Sequence, residues 1–558
     1  MFRRSQFWWI LIVFASQLDY LGCESENLKP GLESINSENL SEDIGILASD
    51  EFEGRAPSSR GEEKTINFLR DEFQKLGLQP GNGDSYFQKV PLVAITANSD
   101  SKLNVKSNRR TQGFSYAKDY MAWTKRVVGK VSIEQSEMVF VGYGVVAPEY
   151  DWNDYQGLNV TGKTVVMLVN DPGFATQDSS FFNGNAMTYY GRWTYKFEEA
   201  ARQGATGAFV IHETKPAGYP WEVVQNSWSG EQFDLRSPDN NLSRCVIEGW
   251  LSIESAQKIF AQAGQDLDEL KSAALQRDFK PVELGLTASL SLNNNIEHSE
   301  SNNVIAVLPG SDRADEYVFY MAHWDHFGLD PNLEGDKIYN GALDNATGTA
   351  GLIELAEAFT QLKTAVSRSI VFLAVTAEEQ GLIGSKYYAA NPLYPVVKTV
   401  AAINMDGLNI YGKMKDITII GYGNSDLDDY VKRAASEQGR TVRPDPETEK
   451  GYFYRSDHFS FAKQGIPSLY TDIGIDHVEY GEEWTREQLD KYTAKNYHKP
   501  SDEFDPNWDL SGAIDDLKLL FKVGYRLGMA ANFPNWKPGT EFRAKRDADM
   551  QGSSGTSP

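Results

Sequence analysis

From about residue 300 onward, apolar runs of strand length alternate with segments of helical periodicity. Examples are "NNVIAVLPG", "EYVFYMAHWDH", "NATGTAGLIELAEAFTQL", "RSIVFLAVTAEE" and "TVAAINMDG". A continuous apolar run suits a strand that is buried on both sides, so helices are expected to cover both faces of the sheet. The alternation therefore predicts an α/β fold with a mixed, mostly parallel sheet sandwiched by helices.

The chain has 558 residues, which is too long for one ordinary domain. Between about residues 135 and 290, "EMVFVGYGVV", "GKTVVMLVND" and "GATGAFVIHE" predict strands, and "YKFEEAARQG" predicts a helix before the last of them. These segments indicate a smaller α/β module with its own core. We therefore expect residues 41–134 and 291–535 to form the main domain, with residues 135–290 inserted into it.

Both ends of the chain are expected to lie outside the folded domains. Arg3 and Arg4 precede an apolar run of about ten residues, which is typical of a signal peptide over residues 1–22 and too short for a membrane span. Cys23 follows "YLG" and resembles a bacterial lipobox, so we expect an exported protein that is periplasmic, outer-membrane or extracellular. Residues 23–40 are interpreted as a polar spacer and residues 536–558 as a disordered tail.

The charge of the chain excludes one class of partner. Lys and Arg number 54 against 78 Asp and Glu, which gives a formal net charge of −24. Such a surface repels phosphate backbones and anionic lipid, so nucleic-acid binding is not expected. The only membrane contact that we expect is through a lipid on Cys23.

Side chains of the types that bind metals follow several predicted strands or directly precede a predicted helix. They are His323, Asp325, Asp344, Glu378, Glu379 and Asp406. In open α/β sheets, ligands bind beyond the carboxyl ends of the strands, so we expect these side chains to lie close together. Imidazole and carboxylate groups together suit Zn²⁺ or a similar cation. The sequence therefore predicts a metal site at this edge of the sheet.

The adjacent pair Glu378 and Glu379 allows a simpler interpretation. Acidic residues suit the first turn of a helix, where they interact favourably with the helix dipole. Two neighbouring carboxylates repel each other, however, and burying them is costly unless a cation is present. Single loop histidines such as His326 and His477 are interpreted as polar surface residues. Several strand ends that meet at one edge favour the metal interpretation for the glutamate pair.

Five segments carry a resemblance to a known family. "AHWDHFG", "NGALDNATGTAG", "TAEEQGLIGS", "NMDG" and "YHKPSDEFD" occur in the order of the M28 co-catalytic zinc peptidases, which the chain resembles over about residues 41–105 and 295–530. The inserted module resembles a protease-associated (PA) domain. The resemblance implies a zinc-dependent exopeptidase that acts on peptide substrates, most similar to the aminopeptidases. It also implies two Zn²⁺ ions per chain, although other divalent metals remain possible.

The resemblance also implies roles for individual residues. The ligand set that it implies is His323, Asp344, Glu379, Asp406 and His498, with Asp344 bridging the two metals. Glu378 would be the general base that takes a proton from a metal-bridging water. Asp325 would orient the imidazole of His323, and Asp502 would do the same for His498.

The sequence identifies the residues that would contact a substrate less clearly than it identifies the metal ligands. Tyr454 could donate a hydrogen bond to a tetrahedral intermediate or line the pocket, and Asp457 and His458 could support the site. Arg455 could bind a terminal carboxylate, as a cationic side chain does in related carboxypeptidases. A carboxypeptidase or dipeptidase, a one-metal glutaminyl cyclase and a non-catalytic receptor-like module therefore remain alternatives, although the complete ligand set disfavours the last.

Overall fold

The computed structural model describes residues 26–98 and 102–554. The chain divides into two compact units, of which the first comprises the described parts of Met1–Val90, Glu300–Asp445 and Ser456–Pro558. The second unit comprises Pro91–Ser299 and Pro446–Arg455. The predicted signal peptide over residues 1–22 and Cys23 lie outside the described residues. Export and lipidation therefore stay predictions.

The first unit is built on a mixed sheet. Its strands are, from one edge to the other, Thr441–Pro444, Asp416–Ile420, Ser468–Asp472, Thr399–Asn404, Arg313–His323, Arg368–Val375, the last part of Val282–Leu308, and Gln79–Pro80. The four strands from Ser468–Asp472 to Arg368–Val375 are parallel to one another. The strands that flank these four run antiparallel to them. The predicted fold class, mixed and mostly parallel, is confirmed.

Alternate residues of the strand Arg313–His323 enter two separate cores. Tyr320 and Ala322 belong to one hydrophobic cluster, whereas Phe319 and Met321 belong to another. This alternation is the period of two that a strand covered on both faces must show. The helices of the first cluster are Ser37–Leu47, Arg60–Lys75, Thr347–Thr360, Leu427–Glu437 and Ser511–Met529. The helices of the second cluster are Ile383–Ala390 and His458–Ala462.

Shorter elements complete the first unit. They are the 3₁₀ segments Asp50–Arg55 and Val396–Lys398, the two-stranded ladder of Gly328–Leu329 with Ile338–Tyr339, and the helices Gly481–Lys495 and Arg543–Ser554.

The second unit has its own α/β sheet. Its strands are, in spatial order, Tyr120–Trp123, Ile247–Ser252, Gly207–His212, Thr164–Leu168, Lys130–Phe140, the first part of Val282–Leu308, Leu103–Lys106 and Thr111–Phe114. The strand Glu231–Leu235 pairs separately with Phe87–Asn98. The main helices are Trp193–Arg202, Trp221–Ser227, Ile253–Ala263 and Leu267–Ala273. An inserted α/β module is therefore present, and its resemblance to a PA domain stays a prediction.

The predicted edges of this module, residues 135–290, were wrong. The second unit begins at Pro91 and ends at Ser299, and it also includes Pro446–Arg455. The strands Leu103–Lys106 and Tyr120–Trp123 pair inside its sheet. These strands are short, so their sequence alone gave no sign of which core would bury them.

The polar spacer predicted over residues 23–40 was also wrong within the described residues. Residues 26–34 form a helix, and Asn36 caps the next helix, Ser37–Leu47, by accepting from the backbone N–H groups of its first turn. Leu28, Ile35 and Leu40 are buried in the main core. These apolar side chains are few within a polar composition, so the average polarity of the segment did not predict their burial.

The disordered tail predicted over residues 536–558 is ordered as far as the structure describes it. Trp536 is fully buried, and its indole N–H donates to the Gly465 carbonyl oxygen at 2.9 Å. Arg546, in the helix Arg543–Ser554, is buried and donates to the Thr399 carbonyl oxygen at 2.9 Å. Single buried residues such as these do not change the average composition of a polar segment, so the composition did not predict that the segment is ordered. Residues 555–558 lie outside the described residues.

No helix within residues 26–98 and 102–554 combines the length and the apolar character needed to cross a bilayer.

The buried anchor at Trp536 gives a test of the ordered tail. Trp536→Ala should lower the free energy of unfolding by about 3–5 kcal/mol, because it removes a large buried side chain. Urea unfolding of the full chain measures this change. Lys545→Ala, on the same C-terminal segment and 46% exposed, should stay within about 0.5 kcal/mol of the wild type. Equal stability of the Trp536 and Lys545 variants would contradict the observed packing.

Candidate metal centre

The parallel strands bring their carboxyl ends to one edge of the sheet. His323 is the last residue of Arg313–His323 and pairs in register with Val375 of the neighbouring strand. Glu378 follows Val375 by three residues, and Asp406 follows Thr399–Asn404 by two. Because these strands are parallel neighbours, the loops that carry the three side chains leave the same edge.

Asp344 reaches this edge from a tight turn, Ala342–Ala346, directly before the helix Thr347–Thr360. The Asp502 carboxylate holds the turn, because it accepts the backbone N–H groups of Leu343 and Asp344, each at 3.1 Å. Asp502 was predicted to support His498, but these hydrogen bonds place it behind Asp344.

Asn345 connects this turn to the loop that carries Asp406. Its side-chain oxygen accepts from Gly407 N at 3.0 Å, and its side-chain nitrogen donates to the Met405 carbonyl oxygen at 3.0 Å. The positions of Asp344 and Asp406 are therefore coupled through a single buried amide.

The structure brings all five predicted ligands together. The Nε2 atom of His323 lies 3.3 Å from one oxygen of Asp344 and 3.2 Å from an oxygen of Asp406. The Nε2 atom of His498 lies 3.2 Å from the other oxygen of Asp344 and 3.2 Å from an oxygen of Glu379. Asp344 therefore directs one oxygen toward each histidine, which is the position that a bridging carboxylate requires.

The donor atoms of this centre fit a divalent metal. The ligand atoms of His323, Asp344 and Asp406 all lie within 4.8 Å of one another, and so do those of His326, Asp344 and Glu379. Imidazole nitrogen and carboxylate oxygen are the donors that zinc takes in catalytic sites. Asp344 belongs to both groups, so the two share one carboxylate.

His326 is a residue of the centre that the sequence interpretation missed. It is fully buried, and its Nδ1 lies 2.6 Å from an oxygen of Glu379. Burial lowers its pKa to about 4, so the ring is neutral near pH 7, and its Nδ1 is within hydrogen-bond distance of Glu379. The Nε2 atom has no hydrogen-bond partner in the described part of the chain. In the sequence, its position three residues after the predicted ligand His323 could have indicated that it belongs to the centre.

Asp325 lies beside His323 but makes a different contact from the predicted one. The ring nitrogen Nδ1 of His323 lies 3.1 Å from the Asp325 backbone oxygen and 3.9 Å from its carboxylate. The Asp325 carboxylate instead accepts the backbone N–H groups of Glu378 at 3.0 Å and Glu379 at 3.4 Å. Asp325 therefore fixes the turn that carries both glutamates.

Glu378 has the properties of a proton acceptor. Burial raises the pKa of its carboxyl group well above the usual range, and the neighbouring carboxylates of Asp406 and Asp457 add to the rise. A carboxylate with a raised pKa is a stronger base. Glu378 takes no part in the ion pairs that join the five predicted ligands of the centre.

A second support stands behind Asp406. The Ser456 hydroxyl donates to Asp406 Oδ2 at 2.5 Å, and the Asn404 amide donates to the Ser456 oxygen at 2.7 Å. The sequence did not predict this contact, because a serine before "DHF" does not indicate a distant carboxylate partner.

The four predicted substrate contacts fall into two groups. Asp457 and His458 belong to the first unit and are fully buried, and their predicted contact with a substrate stays a prediction. Tyr454 and Arg455 belong to the second unit. There the ring of Tyr454 lies 5.9 Å from that of Tyr189, and Arg455 lies over a tyrosine ring. Their predicted role in substrate binding stays a prediction.

Comparison with known proteins shows what the segment that carries the centre is similar to. Residues 303–521 match the family model described as Peptidase family M28. The matched segment contains all five predicted ligands, His323, Asp344, Glu379, Asp406 and His498. The solved structure titled "Aminopeptidase from Aneurinibacillus sp. strain AM-1" has the same fold, with 19% identity and a TM-score of 0.51. The match covers 91% of this chain and 97% of that one.

Curated relatives match shorter parts of the chain. "Probable zinc metalloprotease" of Pyrenophora teres f. teres is 38% identical over 104 residues, which are 18% of this chain and 22% of the relative. "Leucine aminopeptidase 2" of Arthroderma otae is 25% identical over 281 residues, 48% of this chain and 52% of the relative. The matched regions thus span between a fifth and a half of these relatives.

Zinc loading of the centre is expected to release protons. Burial alone would lower the pKa of His323, but hydrogen bonds with Asp344 and Asp406 outweigh it and raise the pKa well above its usual value. Burial also raises the pKa of Glu379. Both shifts favour the protonated form of these groups when no cation is present, and ligands must be deprotonated to bind zinc, so zinc affinity should fall as pH falls.

Titration calorimetry with zinc, in buffers of different ionisation enthalpy, counts these protons. A zinc affinity that does not change between weakly acidic and neutral pH would contradict the assignment of His323 as a ligand.

Proposed function

We propose that the protein is a zinc-dependent exopeptidase of the aminopeptidase type, which removes N-terminal residues from peptides. The observation that carries the proposal is the convergence of five ligand side chains, four of them grouped around the Asp344 carboxylate, with Glu378 beside them. The ligand side chains are His323, Asp344, Glu379, Asp406 and His498. The peptidase family of residues 303–521 supports the same class of activity.

Two zinc ions would be held by this set. His323 and Asp406 would bind one, Glu379 and His498 the other, and Asp344 would bind both. When bound, the metals polarise the scissile carbonyl and lower the pKa of a water molecule at the centre. The shared carboxylate reduces the repulsion between two cations that lie close together.

The chain itself supplies the proton transfer. The Glu378 carboxylate accepts the proton of the attacking water and returns it to the nitrogen of the leaving amine. The contact from Asp325 fixes the backbone at Glu378, so the carboxylate keeps its place beside the ligand Glu379. Metal charge would lower the raised pKa of Glu378, so that it is ionised when the water is activated.

Export is part of this proposal. It is supported only by the sequence over residues 1–23, with its basic start, its apolar run and Cys23. The intact mass of the protein recovered from the producing cells would show whether the chain begins at Cys23 and carries a lipid.

The role of Glu378 is tested by a conservative change. Glu378→Gln should keep its zinc and lose hydrolysis by about 100- to 10,000-fold, because the amide cannot accept the proton. The matched variant Glu379→Gln should lose zinc as well as activity, because it removes a ligand. Metal analysis and turnover of an amino-acid arylamide measure both quantities. Near-normal turnover by Glu378→Gln would reject the assigned base.

The polarity of the exopeptidase is tested with three forms of one peptide. We expect cleavage of the free and the C-amidated peptide and none of the N-acetylated peptide, because an aminopeptidase requires a free amino terminus. A carboxypeptidase would give the opposite pattern for the two blocked forms. A glutaminyl cyclase would convert N-terminal glutamine without hydrolysis and would hold one metal per chain.

A further inference from the structure

Arg55 is a buried arginine that lies behind the metal centre. Its side chain is fully buried, and it ends the 3₁₀ segment Asp50–Arg55. Removing a guanidinium from water is costly, so a buried arginine persists only where hydrogen bonds and nearby negative charge compensate for it. The contacts of Arg55 therefore indicate what its burial stabilises.

The guanidinium donates to four backbone carbonyl groups. Its Nε donates to the Trp324 oxygen at 2.9 Å, and its Nη2 donates to the Gly341 oxygen at 2.8 Å. Its Nη1 donates to the oxygens of Leu47 at 2.7 Å and Asn340 at 2.6 Å. One rigid planar group thus joins three segments that are distant in the sequence.

Two of these segments carry metal ligands. Trp324 directly follows His323, and Gly341 stands three residues before Asp344. The length and the fixed geometry of the guanidinium therefore set the separation between the loop after His323 and the turn that holds Asp344. Arg55 donates only to backbone oxygens, so it acts through the ligands and not on a substrate.

The backbone that leads into Arg55 adopts a conformation that residues other than glycine rarely take. Glu53, Gly54 and Arg55 have φ values of 50°, 65° and 53°, all in the left-handed region. Two of the three are not glycine, and such residues are uncommon there unless surrounding contacts hold them. A Cβ atom at Gly54 would meet the oxygens of Gly328 and Tyr339 at 2.5 Å each. The close packing at Gly54 holds this turn and directs Arg55 inward.

The local charges agree with this geometry. Burial lowers the pKa of Arg55 to about 10, while Asp502, Asp325, Asp344 and Glu379 oppose that shift, in that order. The guanidinium is therefore positively charged at neutral pH. Its charge offsets part of the repulsion among the carboxylates that surround it.

We infer that Arg55 is a positioning residue for the metal centre, which sets the spacing between the His323 loop and the Asp344 turn and so raises the affinity for zinc. The inference rests on the proposed function, because it requires that these residues bind zinc. No interaction of Arg55 with the reacting atoms is involved.

The test measures zinc affinity in the full-length protein. Arg55→Met should raise the zinc dissociation constant by about 10- to 100-fold, the range for residues that support metal ligands. Arg55→Lys should give a smaller increase, because an ammonium group keeps the charge but cannot span all four carbonyls. Competition with a chelator gives the dissociation constants. The gain in Tm on zinc loading, compared with the stripped protein, should shrink in the same order.

Arg546 provides a matched control. It is also buried, and it donates to the backbone oxygens of Val396 and Thr399, at the start of the strand Thr399–Asn404. The ligands lie past the other end of that strand. Arg546→Met should therefore lower the Tm of the stripped and the loaded protein alike and leave the zinc dissociation constant unchanged. A purely structural role for Arg55 would give the same result as this control.

The outcomes separate the inference from the proposed function. If the wild-type protein binds no zinc, both fail. If the wild type binds zinc and cleaves peptides, while Arg55→Met and Arg55→Lys bind zinc as tightly as the wild type, only the role of Arg55 is overturned. Arg55→Lys, which retains the buried charge, decides the matter where Arg55→Met does not fold.

Discussion

Repulsion among carboxylates is the constraint around which the first unit is organised. Asp344, Glu378, Glu379 and Asp406 leave one edge of a sheet and lie close together around two histidines. Like charges in such a place raise one another's pKa and push the loops apart. The arrangement is sustainable only with positive charge at its centre, whether that charge is carried by protonated histidine or by a metal.

The loops that bear these carboxylates are held in the same way, by hydrogen bonds between their backbone and buried charged side chains. They are irregular, so their backbone groups cannot be satisfied by strand ladders and need other partners. Asp325, Asp502 and Arg55 provide them, the two acids by accepting from backbone N–H groups and the arginine by donating to carbonyls. The same buried charges that complete the hydrogen bonding also fix where each ligand points.

The sequence predicted what depended on local pattern and missed what depended on distant partners. Apolar strands followed by His323, Glu379 and Asp406 could be recognised, because strand order and side-chain type are visible in the sequence. The burial of His326 and the true contacts of Asp325 depend on loops that meet only in the fold. Likewise the buried Trp536 and the helix over residues 26–34 are decided by packing against distant segments, which average polarity does not reveal.

The hydrogen bonds that fix the ligands form without a metal. They therefore contribute to metal affinity by holding the ligands in place before a cation binds. Loops already held by Asp325, Asp502 and Arg55 need little rearrangement when a cation enters, so little binding energy is lost to ordering. The ligands also gain, because a cation relieves the repulsion that their forced proximity creates. The preorganised loops and the relief of carboxylate repulsion therefore both increase the affinity for a cation. A residue that holds the loops together strengthens metal binding without contacting the metal.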